Sequence, residues 1–506
     1  MGMSQMIVLA ALAFAGAQGT IEISINDVVR LALEGNKDIL VERLNVEVSE
    51  GDVLKERGVF DPLLELSSSF TDSESPTAST FIESGIIDSK TLELSAGISG
   101  TLPTGTFYDL LRFEVARTKT TSQVEVLSPS WVTNLSFSIG QELLRGFGTG
   151  SNLARIRVAK RTGDVSRKEL ERVISDTLVE VQRAYWNLVA AYKFLELANT
   201  ALELALDLQK RNEIQVEVGV LPPVTVTQAR SEVAARKVDV ITAENDLEAG
   251  EDILKNLLSI SLGLRLVPTD EPTIGFTEIN EEEVIALAMK KRPEIAQSKL
   301  EIENRVILKK FYSNQRLPRL MVQGSLLFQG LGGEQNPGRI VFGDTIPEPI
   351  SEQFNSGTDA FRQLGEGDFP TWQVMGVLSF PLTNAGARGE YRKAAAELER
   401  SVIRHGKAVE DVELDVRNSI REVHNSLKKI EAANISVQLV EEVLGNEEER
   451  LKVGVGTTRE VLEAQRDLVD ARFGEIRAVA DYNIAIAALE RAKGTIIDSY
   501  GVEISE

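Results

Sequence analysis

Two hydrophobic periods alternate along this chain. Over Thr91–Leu102 the even positions Leu92, Leu94, Ala96, Ile98, Gly100 and Leu102 are apolar or small, while Glu93, Ser95, Ser99 and Thr101 are polar. Period 2 of this quality predicts a strand with two different faces. The same alternation runs through Leu64-Leu66-Ser68-Phe70, Leu111-Phe113-Val115, Leu135-Phe137-Ile139, Leu320-Val322-Gly324-Leu326-Phe328 and Trp372-Val374-Gly376-Leu378-Phe380. Six strands are predicted, four in the first half and two in the second. The segments 71–90, 119–131 and 330–370 between them are long and rich in Gly, Ser, Thr, Pro and Asp, whereas Pro103-Thr104-Gly105 is a tight turn.

The other period is helical. Segments 151–211 and 388–451 contain no proline and are built from helix formers, so that at about 1.5 Å per residue each would reach roughly 90–95 Å. Leu178, Val181, Tyr185, Leu188, Tyr192 and Leu195 make a 3.5-residue repeat, the seam of a helix packed along another helix. Each long helix breaks at a glycine, in Val218-Gly219-Val220-Leu221-Pro222-Pro223 and in Val453-Gly454-Val455-Gly456-Thr457-Thr458, then resumes as the returning arm of a hairpin.

These breaks expose an internal repeat. Adding 235 carries Val181, Tyr185, Leu188, Tyr192 and Leu195 onto Val416, Ile420, Val423, Leu427 and Ile430, and Val218-Gly219 onto Val453-Gly454. Upstream, the run Val28–Leu33 followed by Asp38-Ile39 maps onto Val284–Met289 followed by Glu294-Ile295 at an offset of 256, which Pro62 and Pro318 share. The first half therefore carries 21 more residues before its long helix (256 − 235), accounted for by an extra hairpin at Leu92–Arg117. The expected organisation is a cleaved leader at 1–17, a first repeat at 20–260 and a second at 281–495, with a linker at 261–280 between them and a tail at 496–506. The first repeat comprises a helix at 26–57, strands within 62–142 and a long hairpin at 151–258. The second comprises a helix at 281–312, strands within 318–381 and a hairpin at 387–493.

Composition narrows what this architecture can do. Asp plus Glu number 77 against 55 Lys plus Arg, a net charge of −22, which disfavours nucleic acid because phosphate binding needs a basic surface. The chain has no cysteine and only two histidines, His405 and His424, whose spacing does not put them on one turn of a helix; they read as ordinary surface residues. Thiol chemistry, disulfides and thiolate metal sites are excluded, and with no phosphate-loop motif either, neither an enzyme nor a cofactor is expected. The apolar run Ile7–Ala15 followed by Ala15-Gly16-Ala17 reads as a signal peptide cleaved after Ala17, although no Lys or Arg precedes it. No other segment reaches the length of a membrane-spanning helix. Entry into a membrane would require a β-barrel.

The strands fit that requirement. Long loops at one end and short turns at the other is the pattern of an outer-membrane barrel. Each strand group is entered from a helix and left into a helix, and an even number of strands returns the chain to its starting side, so all helices are expected on one side of the barrel. Six strands, or four if the extra hairpin stays outside, cannot enclose an open lumen, since even eight leave an interior that side chains fill. Closure is expected from several chains.

In their order and spacing, the two helix–strand–helix halves, the motif Val-Gly-x-x-x-x-x-x-Val-x-x-Ala at Val218–Ala229 and Val453–Ala464, and Leu378-Ser379-Phe380-Pro381-Leu382 leading into a helix resemble the TolC-like outer-membrane efflux proteins (outer membrane factors), from about Ile25 to Lys493. The resemblance implies a mainly α fold with a β-barrel part: a trimeric channel-tunnel of long coiled-coil helices and transmembrane antiparallel strands with an internal two-fold repeat. It implies a homotrimer in the outer membrane of a Gram-negative-type bacterium, in contact with its lipid and extending into the periplasm. There it would serve as the exit duct of a tripartite efflux pump or type I secretion system, with a periplasmic adaptor (membrane fusion) protein and an inner-membrane transporter of RND, ABC or MFS type as partners. The turns Val218, Gly219, Val220, Leu221 and Val453, Gly454, Val455, Gly456 become the periplasmic tips and adaptor contacts. The family's acidic constriction falls on Glu460 and Glu463, where three-fold symmetry would gather six carboxylates, raise their pKa values and favour cations. A solvated helix face in an acidic chain is the competing reading. The family's tip-locking arginine falls on Gly456 and its acidic partner on Thr225, so that lock is not preserved, and Arg459 is the cation at hand to replace it. A periplasmic coiled-coil adaptor or scaffold without a channel is the alternative function, but it leaves the six strands unexplained.

Overall fold

The computed structural model describes residues 19–82, 84–275, 279–340 and 351–501. The expected leader at 1–17 and the end of the tail, 502–506, lie outside the described residues. The described residues form two compact units, one drawn from 19–48, 163–300 and 402–501 and the other from 49–162 and 301–401.

The first unit is helical. Its elements are β1 (Thr20–Ile23), α1 (Ile25–Gly35), α2 (Lys37–Arg57), α3 (Ala154–Glu217), α4 (Val224–Leu258), β6 (Arg265–Pro268), α5 (Glu281–Lys291), α6 (Pro293–Gln315), α8 (Ala385–Lys452), α9 (Thr458–Lys493) and α10 (Ile496–Ser499); α2, α3, α6 and α8 also contribute residues to the second unit. The heptad seam is its core: Leu178, Val181, Tyr185 and Leu188 are wholly buried, as is Val416, with Ile420, Val423 and Ile430 nearly so. Each repeat builds its own cluster. Val28, Leu31, Tyr185, Leu254, Leu258 and Leu266 pack in the first, and Val284, Val416, Ile420, Tyr482 and Leu489 in the second. A third cluster joins Val29, Ile39, Ile174 and Leu178 to Ile496. Residues 496–499, read as the start of a tail, thus form a helix anchored by a buried isoleucine.

Two expected single helices are each broken in two, at equivalent places. The helix read at 26–57 divides at Asn36 and the one read at 281–312 at Arg292, 256 residues on; both residues have extended backbone (ψ 127°) and cap the preceding helix through N–H bonds to the carbonyls of Ala32 and Ala288. Each buried side chain then donates to the end of the returning helix of its own repeat: Asn36 Nδ2 to the Leu257 carbonyl at 2.9 Å and Arg292 to the Ala492 carbonyl at 3.4 Å. The hydrophobic period continues through both breaks, so apolar spacing alone cannot reveal them. The linker 261–280 also holds structure, because β6 pairs in parallel with β1. Asp270 accepts from the Ile25 N–H at 2.7 Å and from the Tyr185 hydroxyl at 2.5 Å, and burial, with that carboxylate alongside, pushes the Tyr185 phenol well above its ordinary range.

The second unit is built on one antiparallel sheet of six strands, β2 (Leu63–Pro76), β3 (Ile86–Thr101), β4 (Thr106–Thr120), β5 (Leu127–Glu142), β7 (Arg319–Gln335) and β8 (Pro370–Ser379), in the order β2-β3-β4-β5-β7-β8. The extra hairpin is therefore part of this sheet, paired on both sides, with a bulge in β4 at Leu110–Arg112 where Leu111 takes a φ of +56°. Leu63, Thr101, Thr106, Glu142, Arg319 and Ser379, the strand ends next to the helices or to the 102–105 turn, share one end of the sheet. The described parts of the loops, 77–82, 84–85, 121–126, 336–340 and 351–369, lie at the other. The last, read as an unstructured loop, contains helix α7 (Gly357–Glu366). Its residues 341–350 are outside the described residues.

Helix α7 lies on β5 and β7 by way of missing side chains. A Cβ on Gly330 would meet the Ala360 carbonyl oxygen at 2.0 Å and one on Gly332 the Ser356 carbonyl oxygen at 2.1 Å. The buried Thr133 hydroxyl donates to the Ala360 carbonyl at 2.8 Å, and the Leu331 N–H donates to Gln363 Oε1 at 2.9 Å.

Candidate functional site

The strand register sorts the sheet into two chemically distinct faces. Leu66, Ala96, Phe113, Leu135, Phe328 and Pro370 form one row across all six strands, and Leu64, Leu94, Ile139, Leu326, Trp372 and Val374 belong to the same face. The opposite face carries Ser67, Ser95, Glu114, Asn134 and Gln329 in the adjoining row, together with Ser69, Glu93, Ser136, Ser138, Ser325, Thr371 and Gln373, Thr371 standing opposite the one leucine of that stretch, Leu327. On the apolar face, eight steps from Leu320 to Phe328 span about 27 Å of strand, or about 21 Å along the normal at a tilt of about 40°, close to the roughly 25 Å apolar band of an outer-membrane barrel. Toward the loop end that face becomes charged, with the Asp72–Lys90 ion pair at 2.7 Å and Arg117 stacked 5.2 Å over the Trp131 ring. Helix α7 lies on the loop end of this face over β5 and β7, its Phe361 ring 6.3 Å from that of Phe113, but the apolar residues of the outer strands are bare: Leu66 is 71 % exposed, Phe70 67 %, Trp372 78 %. Strands β2 and β8 each pair on one side only. Among the described residues no helix is long and apolar enough to cross a membrane.

At the far ends of the helical hairpins the two glycine turns are copies. Gly219 N–H donates to the Val216 carbonyl, and those of Val220 and Leu221 to Gln215; Gly454 donates to Leu451, and Val455 and Gly456 to Arg450, each acceptor 235 residues on. This is the Schellman closure, in which a residue of positive φ at C′ lets the chain fold back on the last helical carbonyls; Gly219 and Gly454 have φ of +79° and +77°. Val218, Val220, Val453 and Val455 project from the turns, each 67–70 % exposed. The later residues of the shared motif turn the other way, Ala229, Val461 and Ala464 being buried. That half of the motif encodes packing of the hairpin.

Glu460 occupies the third position of α9 and completes a capping box. Its carboxylate accepts from the Thr457 N–H at 2.7 Å and the Thr457 hydroxyl at 2.9 Å, and its own N–H donates to that hydroxyl oxygen at 3.3 Å. Those bonds, the backbone one first, hold the Glu460 carboxyl below the usual glutamate range, the opposite sign to the one expected from clustered like charges. Glu463 is paired with Arg459 at 3.1 Å on its own helix. Arg459 is thereby engaged one turn along α9, and Thr225 is buried with its hydroxyl donating to the Pro222 carbonyl at 2.8 Å. Across the turn it is Arg450 that approaches Glu460, at 4.0 Å. Sequence reasoning passed over Arg450, and also over the nearly buried Glu232, which takes Arg236 at 2.8 Å and Arg466 of α9 at 2.8 Å and so joins the two hairpins. Its Glu-x-x-x-Arg spacing on α4 was the available signal.

Among the described residues no group of three or more His, Asp or Glu side chains is placed to hold a metal ion. His405, read as a surface residue, is half-buried and shares a 2.8 Å hydrogen bond with the Ser298 hydroxyl. His424 is exposed.

A family model described as outer membrane efflux protein matches residues 111–259 and 284–495, well over half of the chain. The chain belongs to the outer membrane efflux protein family. This is a family of efflux channels of the outer membrane, not of enzymes, and the outer membrane is its location. One curated relative, the cobalt-zinc-cadmium resistance protein CzcC of Cupriavidus metallidurans, is 24% identical over 216 residues, 42% of this chain and 50% of the relative. The chain spans about half the length of that relative. The fold is that of the Campylobacter jejuni CmeC outer membrane channel, with a TM-score of 0.67 at 16% identity over 93% of this chain and 86% of that one. The Vibrio cholerae outer membrane protein VceC is similar as well, with a TM-score of 0.64 at 15% identity over 93% and 96% of the two chains. As expected from the sequence, this efflux protein combines long helices with an antiparallel sheet of strands in a TolC-like fold.

Proposed function

We propose that this efflux protein is the exit duct of a tripartite efflux pump or type I secretion system, a passive homotrimeric channel across the outer membrane and periplasm. One observation carries the reading: a sheet with an apolar face that α7 covers only at its loop end, and a polar one, open at both edges, in a member of this family. The apolar face meets lipid and the polar face lines a wet lumen. The duct opens when a periplasmic adaptor and an inner-membrane transporter engage it, and the exposed valines of the two glycine turns are the adaptor's footholds. Glu460 and Glu463 form the acidic ring of the periplasmic entrance, and that ring, in a chain of net charge −22, favours cations over anions. The Glu460 bonds to its own cap hold that carboxyl below the usual glutamate range and so favour its charged form.

Single-channel recording of the purified protein in planar bilayers, wild type against Glu460→Ala/Glu463→Ala, tests this. Cation-selective conductance that loses its selectivity in the double variant is the expected result. Unchanged selectivity would move the constriction elsewhere, and a protein that inserts nowhere would overturn the duct.

A further inference from the structure

In this sheet β2 and β3 precede residue 111, where the match to the family begins, yet they pair in register from Leu63↔Ser99 to Pro76↔Ile86, and β3 pairs onward to β4 along its length with one bulge between Ala96 and Ile98. They also carry both faces without a break: Leu64, Leu66, Phe70, Leu92, Leu94 and Ile98 continue the apolar side, and all six are exposed. A hairpin lying against a finished barrel would have one face covered by it, and its strands would not be hydrogen-bonded into the same sheet.

The two edges suit one another. Strand β2 runs from the helix end of the sheet toward the loop end and β8 runs back, so β8 of one copy beside β2 of the next is an antiparallel pair that keeps the order of the rest. Even-numbered residues face the apolar side on both edges, and pairing even with even extends that face from copy to copy. Exposed strand edges are templates for such pairing, and a ring of copies leaves none open.

We infer that each copy contributes six strands and that the pore is an eighteen-stranded barrel of three copies, closed by β8 of each on β2 of the next. The inference rests on the trimeric duct proposed above and sets its bore. With strands about 4.8 Å apart and tilted about 40°, eighteen strands place opposing backbones about 36 Å apart, against about 24 Å for twelve. After side chains are allowed for, roughly 25 Å remains open, the regime of an aqueous channel. The barrel then imposes little size limit on the cargo, and selection by size falls to the helical entrance. Bulky solutes pass the membrane portion once that entrance opens.

Because the chain contains no cysteine, an introduced pair reports one contact. Ser69→Cys on β2 is combined in turn with Thr371→Cys, Gln373→Cys, Met375→Cys or Val377→Cys on β8, all on the polar face, and the protein is oxidised in outer-membrane vesicles. Disulfide-linked trimers at one of these registers, and none with Trp372→Cys or Val374→Cys on the other face, are expected. Trimers linked instead between the β8 positions and Glu114→Cys on β4 would mean twelve strands with β2 and β3 outside, and a Ser67→Cys link to Asn134→Cys of β5, three strand spacings away in this sheet, would mean twelve with the 92–117 hairpin outside; either overturns the inference and leaves the duct intact. Conducting protein that links at neither strand would overturn the edge pairing in the same way. Protein that neither links nor conducts would overturn the duct as well.

Discussion

In the helical unit Arg292 is 5 % exposed and bonded to Glu294 and Asp415 at 2.7 Å each. Arg491 reaches the same Asp415 at 2.7 Å and Asp176 at 2.7 Å, so three helices and the α5–α6 break are bound into one charge network. Burial alone would raise the Glu294 carboxyl, but the hydrogen bonds and charge of Arg292, with Arg491 nearby, hold it below the ordinary glutamate value. A depressed carboxylate contributes stability that is complete above the unfolded value of about 4.3 and is lost as pH falls through the lower folded one. Arg292→Ala should therefore lower stability at pH 7 by about 3 kcal/mol, as for a broken buried pair, read as a drop in the thermal midpoint by circular dichroism. Glu294 loses its main partner in that variant, so the acid limb of the stability curve below about pH 4 should become shallower. A midpoint that falls equally at all pH values would assign Arg292 a packing role instead. None of this network was legible from sequence, because its members are separated by up to some 300 positions and charge pairs carry no period.

At the scale of elements, the strands were the most legible part. Period 2 at Leu92–Leu102 and Trp372–Phe380 reports directly which side of a sheet meets an apolar medium, and the register puts Leu326 and Ser325 on opposite sides. Leu326→Lys should cost about 2–4 kcal/mol if that residue lies near the bilayer midplane and should deplete the protein from outer-membrane fractions. Ser325→Lys should leave its level unchanged, and equal depletion by both would sink the assignment of faces. Helix α7 was missed because the composition of 330–370 reads as loop, although Ser356 and Asp359 form a capping box and Gly367 closes the helix in the left-handed conformation. Those short-range signals were present and were outweighed by the surrounding Gly and Ser. The strand pair β1–β6 gave no such sign: four-residue strands whose partners lie some 245 positions apart do not announce themselves by pattern.

For the whole molecule, the duplication explains why so much could be read. Two halves that each place helix, strands, helix and glycine turn in one order constrain one another, and the offsets of 256 and 235 that align the sequence also align the helix breaks at Asn36 and Arg292 and the hydrogen bonds of the turns. The proposed entrance was less legible. Glu460, Glu463, Arg459 and Thr225 were located by resemblance, and the chain engages each of them with near neighbours. Yet the halves are copies only to a point. One turn continues into Leu221-Pro222-Pro223 with no side-chain cap, and the other into Gly456-Thr457-Thr458 with a full capping box. In the proposed ring of three such chains, six fingertips of almost the same outline would alternate between a stiff apolar kind and a polar, acid-bearing kind. Any collar that grips them meets two kinds of socket, so six identical clasps could not all fasten with equal strength, and three would let go first.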